Sequence, residues 1–428
     1  GGGGTGRVRV LALTTPQKPL PTVILNLFQN LTRVKNKLST KTTTFLQSHA
    51  LSRLVGGLAA LFAVFFMLFT PAFSAETFNI ADYTKPEYGS GDGEKYYKWE
   101  NTENGLQLTE TDKQNAQITA KYDTNTEHIR INNKNTDNSP QNITGGSFVN
   151  QTTGTSSDNQ YGGAIYNYSN SITTPAALGD IEADFVDNYV YTANFSSNGG
   201  AIYNYSGISS TAQIGNITGN FIGNYASGRA ASGGAIYNYA YIYATSQIGD
   251  INGSFIGNYA FTHNASAYGG AIYNCTDQGT AKIGDITGDF ISNYVKTDNV
   301  TQAISGGAIY NVGEIGDING SFIGNYASGA GSTSGGAICN ESYNFEVATI
   351  GDITGDFIGN YASSSGSTSG GAIYNSGEIA TITGDFIGNY ASSSGSTSGG
   401  AIYNSGEIAT ITGDFIGNYA SSSGSTSG

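Results

Sequence analysis

The sequence predicts an all-β fold: a parallel β-helix solenoid of about eight rungs, expected to be right-handed, with an N-terminal cap. Three observations carry this reading. The block Gly-Gly-Ala-Ile-Tyr/Cys-Asn occurs eight times, with its Ala at Ala164, Ala201, Ala235, Ala271, Ala308, Ala337, Ala372 and Ala401. A Phe-x-x-Asn motif follows each copy, with its Phe at Phe185, Phe221, Phe255, Phe290, Phe322, Phe357, Phe386 and Phe415. The period of 29 to 37 residues is that of repeat architectures, in which each unit buries its apolar face against its neighbours. The last two units, 370–398 and 399–427, are identical. A catalytic centre has no reason to be copied in this way, whereas a display surface or a spacer does.

Each unit is read as short strands and corners. Ile, Thr, Tyr and Phe sit between Gly, Asn and Ser clusters, the composition of strands punctuated by turns. No apolar spacing of three, four and seven residues marks a helix, and glycine is too frequent for one. In unit 370–398, Ile382, Gly384 and Phe386 fall on one strand face by the period of two. They are placed inward with Ile373, and about three strands make one turn. Equivalent side chains then stack ~4.8 Å apart, so eight rungs span ~40 Å.

Length varies in two places only: after Asn-Tyr-Ala, as before Gly233, and after Ile-Tyr-Asn, as before Ile248. Insertions in a solenoid go to corners. The repeated Asn167, Asn204, Asn238 and Asn274, and Asn224, Asn258 and Asn293, are expected to form amide ladders that satisfy backbone groups at corners. The glycines are expected to serve tight corners.

GGAIYN followed by FIGN resembles the polymorphic outer-membrane protein repeats of chlamydial type, defined by Gly-Gly-Ala-Ile/Leu/Val and Phe-x-x-Asn. The resemblance covers 141–428, with 143–150 a degraded first copy. It implies an autotransporter-like passenger: a surface-exposed β-helix acting in adhesion, on the outer surface of a Gram-negative bacterium and followed by a membrane barrel. The repeat is read as cut mid-unit at Gly428, with outer-membrane association through a region beyond it.

Charge divides the chain. Residues 1–75 hold eight Lys/Arg and no Asp or Glu; residues 76–428 hold ten Lys/Arg against 32 Asp/Glu, a net charge of −22. The acidic portion argues against nucleic acid, which rewards clustered cations. Residues 1–75 are read as a targeting segment. The apolar stretch 54–69 follows Lys41 and Arg53 and precedes Pro-Ala-Phe-Ser-Ala-Glu, with cleavage expected near Ser74 or Ala75. At 16 residues it is short for a membrane span of about 20. Residues 76–140, with Trp99, are assigned as the N-terminal cap or an irregular first rung, because a solenoid needs its first rung covered. Cys275 and Cys339 lie two rungs apart, ~10 Å, beyond the ~7 Å reach of a disulfide, and are read as unpaired.

Candidate chemistry is sparse. Beyond the targeting segment only His128 and His263 are available, and no metalloprotease, nucleophile-elbow or phosphate-loop motif occurs. No cofactor and no catalytic residue are assigned, and the chain is read as a non-enzyme. The one metal arrangement to weigh is Asp250, Asp285, Asp317 and Asp352, which hold the same place in Ile-Gly-Asp-Ile on four rungs. Stacked carboxylates ~5 Å apart repel by about 1 kcal/mol per pair in water. Solvation with splaying, or a bound Ca²⁺, relieves that. Asp356, Asp385 and Asp414 align likewise. The row Tyr166, Tyr203, Tyr237, Tyr273 and Tyr310 is read as packing or a surface stripe, with a sugar platform as its ligand-bearing alternative.

The function expected is a secreted or surface-exposed adhesin that binds a protein or glycan on a host or neighbouring cell through distributed loops. The alternatives are a carbohydrate-active β-helix enzyme, which needs a cleft that occurs once, and a passive stalk for a C-terminal part.

Overall fold

The computed structural model of the chain describes residues 94–102, 105–111, 118–123, 128–133, 143–149, 151–154 and 158–427, apart from 299–301 and 345. The targeting segment lies outside the described residues. Every element among the described residues is a strand or an isolated bridge. The molecule is a parallel β-solenoid.

One turn visits four sheets. Sheet 1 is made by the Ile-Tyr-Asn strands, such as Ile202–Ser206 and Ile236–Ala240. Sheet 2 takes three short pieces per rung, such as Thr211–Ile214, Ile217–Thr218 and Phe221–Ile222. Sheet 3 takes Tyr225–Gly228 and sheet 4 takes Ala230–Ser232. Pairing between rungs is parallel and in register, motif on motif: Ile202↔Ile236, Ile217↔Ile251, Phe221↔Phe255, Tyr225↔Tyr259, Ala231↔Ala267.

The three strands expected per turn are therefore four faces. Sheets 3 and 4 hold nine strands each, one more than the copies of GGAIYN. The degraded copy explains the extra rung. Ile143–Val149 pairs with Ile181–Val186, and Thr152–Gly154 and Gln160–Tyr161 begin sheets 3 and 4. Upstream, Glu94–Thr102, Gly105–Thr111, Ile118–Asp123 and His128–Asn133 pair antiparallel. The last of these joins sheet 1 in parallel through Ile131↔Ile165.

The period of two does not run through sheet 2. Ile379, Ile382 and Phe386 all face inward and are buried, at spacings of three and four. The phase shifts at Ala380 and Thr381, which align with the Gly351–Asp352 corner of the preceding rung. Gly384 and Asp385 separate Glu378–Thr383 from Phe386–Ile387 and leave Ile382 and Phe386, four apart, on one face. Ile382, Phe386 and Ile373 are inward as expected, but Gly384 is part of a corner.

The core has two lobes. The larger, between sheets 1 and 2, stacks the Ala and Ile of GGAI with the isoleucines and phenylalanines of sheet 2. Phe185, Phe221, Phe255 and Phe290 are fully buried and stack with centroids 4.7 to 4.9 Å apart. The smaller lobe, between sheets 3 and 4, is built of Val190, Ala226, Ala231, Ala260 and their equivalents.

Candidate binding surface

The two repeat motifs meet where the lobes join. The second glycine of GGAIYN packs against the backbone at the Tyr that follows Phe-x-x-Asn. A Cβ on Gly200 would lie 2.6 Å from the Tyr225 nitrogen, and one on Gly234 would lie 2.6 Å from the Tyr259 carbonyl carbon. Real Cβ atoms do not come so close to backbone, so this position excludes every side chain.

The Phe-x-x-Asn asparagine closes the same waist. Asn258 Oδ1 accepts from both the Asn224 backbone N–H (3.0 Å) and Asn224 Nδ2 (2.9 Å). Asn258 Nδ2 donates to the Phe221 carbonyl at 2.9 Å and to Asn293 Oδ1 at 2.9 Å. A second ladder runs under sheet 1. Asn204 Nδ2 donates to Asn238 Oδ1 at 2.8 Å and to the Gln247 carbonyl at 3.1 Å. The ladder asparagines are fully buried, so the amide columns expected from sequence are scaffold. An unsatisfied buried amide costs about 1–3 kcal/mol, and here each amide satisfies its neighbour.

The acidic ladder is exposed. Asp250 Oδ1 accepts from the Asp285 backbone N–H (2.9 Å), Asp285 Oδ1 from Asp317 (2.9 Å) and Asp317 Oδ1 from Asp352 (2.8 Å). Each carboxylate thus continues one strand's hydrogen bonding across a corner. Asp356, Asp385 and Asp414 are arranged alike. Among the described residues no three His, Cys, Asp or Glu side chains cluster closely enough to hold a metal ion.

The Tyr166–Tyr310 row is packing. Tyr203 and Tyr237 are only 4% and 9% exposed, in an outer notch between sheets 1 and 4. There Tyr161 and Tyr268 of sheet 4 lean onto Tyr203 and Tyr310 at 4.6 and 4.7 Å. The row is interrupted at Cys339, which pairs in register with Tyr310. Cys339 and Cys275 are both free and buried, and burial pushes the Cys275 thiol up to about 12.

A second tyrosine column, not singled out in the sequence, runs outside sheet 3 through Tyr189, Tyr225, Tyr259, Tyr294, Tyr326, Tyr361, Tyr390 and Tyr419. Its rings stack at 4.8 to 5.2 Å with interplanar angles of 0 to 5°. Its signal was the Tyr after every Phe-x-x-Asn. In both columns the ring faces are spent on one another. A sugar platform needs a free face, and a ladder offers edges along its length.

Exposed apolar side chains are most numerous at one edge, the corner between sheets 1 and 2; Tyr191 and Phe195 are exposed at the passage from sheet 3 to sheet 4. Ile172, Ile208, Tyr243, Tyr343 and Val347 all sit at the corner between sheets 1 and 2, 52 to 77% exposed. Four residues at this corner take a positive φ without being glycine: Ser209, Tyr243, Gln278 and Asn344, at 48 to 60°. Such a conformation is strained for a bulky residue, yet Tyr243 holds it with its ring in solvent. Beside this edge, on the outer face of sheet 2, runs a groove of about 380 Å³ lined by Lys282, Glu314, Thr349, Glu378 and Glu407. The Lys282 ammonium lies 3.6 Å from the Glu314 carboxylate, both half-exposed. A pair this wet contributes ~1 kcal/mol or less. His263 lies apart, at the corner between sheets 3 and 4, with its Nδ1 3.5 Å from Asp298.

The fold and these surfaces define a parallel β-helix repeat protein. No family model, no curated protein and no solved structure matches this chain.

Proposed function

We propose that this chain is a surface-display protein, a passenger-type β-helix exported to the cell exterior. It binds a protein or glycan of a host or neighbouring cell along the corner between sheets 1 and 2. One observation carries the reading: the inward columns repeat from rung to rung, while this corner varies in length and sequence and presents Ile172, Ile208, Tyr243, Tyr343 and Val347 to solvent. Large exposed apolar side chains on a rigid scaffold mark contact surfaces. The net charge of −22 over 76–428 keeps such a rod from self-association. The motif resemblance to outer-membrane passenger repeats supports the same location.

The experiment is attachment of beads coated with the full chain to cultured cells. Replacing these five residues with Ser is expected to lower attachment about tenfold, as loss of a few anchoring side chains does, with the circular dichroism spectrum unchanged. Attachment that survives all five substitutions would remove this edge as the binding surface. Loss of binding on Lys282→Ala alone would move the site to the groove.

A further inference from the structure

Nine described asparagines stand in Asn-x-Ser/Thr, the acceptor pattern for N-linked sugar: Asn167, Asn194, Asn204, Asn216, Asn252, Asn264, Asn274, Asn319 and Asn340. The fold separates them. Asn167, Asn204, Asn274 and Asn340 belong to the buried amide ladder and have no exposed surface. Their Nδ2 atoms, where the sugar would be joined, donate to the next asparagine at 2.7 to 2.8 Å. Asn216, Asn252 and Asn319 are exposed but are bound into sheet 2 beside or within two-residue strands held by the rungs on either side. Asn194 and Asn264 are exposed and lie in bends between sheet 3 and sheet 4, outside any strand.

We infer that Asn194 and Asn264 are N-glycan acceptor sites of the folded protein, taking a hexose or N-acetylhexosamine from a sugar activated as a nucleotide or lipid pyrophosphate. The transferase must draw its acceptor peptide out of the surface, which a bend permits and a strand paired on both edges does not. In the step, Nδ2 forms a bond to the sugar C1 and loses one proton. The bond from C1 to the phosphate oxygen breaks, and the pyrophosphate-bearing group leaves with its electron pair. The ladder asparagines share the motif but are closed to this chemistry once the rungs have stacked. A side-chain amide nitrogen already donating to three acceptors inside the wall has no room for a pyranose. The chain must therefore fold before it meets such an enzyme.

The test treats the purified, folded full chain with a soluble N-glycosyltransferase and a nucleotide-activated hexose, then maps the sugar by mass spectrometry. Synthetic peptides spanning Asn194, Asn264, Asn204 and Asn274 are treated alongside. The expected result is modification of all four peptides. In the folded chain, Asn194 and Asn264 are modified, and the ladder sites are lower by about a hundredfold or more, since they react only through rare opening. Substituting Asn194→Gln and Asn264→Gln should then remove the sugar from the two bend peptides and leave the ladder peptides of the folded chain unlabelled. Comparable occupancy of ladder and bend sites in the folded chain would overturn the inference. So would failure of the ladder peptides to react, because burial would then not be the reason, or a folded chain left unmodified at Asn194 and Asn264 although their peptides react.

Discussion

Gly200 and Tyr225 touch backbone to backbone across the interior of the solenoid: a Cβ on Gly200 would stand 2.6 Å from the Tyr225 nitrogen. Gly234 and Tyr259 repeat the contact one rung on. This explains why Gly-Gly-Ala and Phe-x-x-Asn recur as a pair. They are the two sides of one waist, with the Gly234 carbonyl of the next rung closing on Gly200 at 2.0 Å from the same Cβ position.

The contact makes Gly200→Ala a test of space alone, because no positive φ is recorded there. Backbone cannot move aside as a side chain tip does, so the substitution should cost about 3 kcal/mol. Gly257 is the control. Its φ is +65° and nothing lies within 4 Å of its would-be Cβ, so Gly257→Ala should cost only the left-handed backbone strain, about 1 kcal/mol. Urea melts of the two variants decide the matter, and equal losses would mean that the waist is not close-packed.

The amide ladders should be far less tolerant than their exposed counterparts. Asn258→Asp keeps the shape but replaces two donations, to the Phe221 carbonyl and Asn293 Oδ1, by oxygen facing oxygen. The expected loss is roughly 3–5 kcal/mol. Asn252→Asp, on the exposed outer face, should change stability by less than ~0.5 kcal/mol. Chemical denaturation monitored by circular dichroism compares them.

In the aspartate ladder one oxygen per residue, Oδ1, accepts from the next rung's backbone N–H. Asp317→Asn keeps an Oδ1 to accept from the Asp352 N–H and should be neutral or slightly stabilising, since it removes like-charge repulsion. Asp317→Ala removes the acceptor at a partly wet corner and should cost about 1 kcal/mol. Millimolar Ca²⁺ should leave Tm nearly unchanged. A rise of several degrees with Ca²⁺ but not Mg²⁺, lost in Asp285→Asn and Asp317→Asn, would establish a bound ion.

Alkali should unfold the rod through its outer tyrosine column. Burial, and then the neighbouring rings, push the Tyr225 and Tyr259 phenols up to about 12. An unfolded phenol titrates near 10. Between these values the unfolded chain releases protons that the folded chain retains, so stability falls as pH rises. It is fully present below about pH 10 and lost progressively towards pH 12. Tyrosinate absorbance followed with circular dichroism should show ionisation and unfolding together. Normal titration of a still-folded rod would refute the coupling.

Modularity can be checked on the identical units. Strands of 370–398 pair with those of 399–427 residue for residue, so deleting 29 residues leaves every remaining strand an equivalent neighbour. The rod should shorten by roughly 5 Å and stay folded. Deleting 15 residues instead should break register, expose inward Ile and Phe, and leave edges unpaired.

What is local and periodic in this fold can be read from the residues alone. Motif recurrence showed which residues stack on which, and that Ile373, Ile382 and Phe386 point inward. It also showed that the recurrent asparagines form ladders, because parallel stacking in register places each side chain above its own equivalent. What depends on the angle between faces emerges once the turns have closed. Two glycines and a Gly-Asn corner bend each turn into four sheets and pinch it at Gly200 and Tyr225, a contact between residues 25 positions apart in the chain. The same bends bury the Tyr203 row in a notch while leaving the Tyr225 row half-exposed, although both are a Tyr beside an Asn. They also put Ile172, Ile208 and Tyr243 along one edge. Local composition sets strand and turn; which side of a folded turn meets solvent is a property of how the turns close on one another, and no single segment carries it.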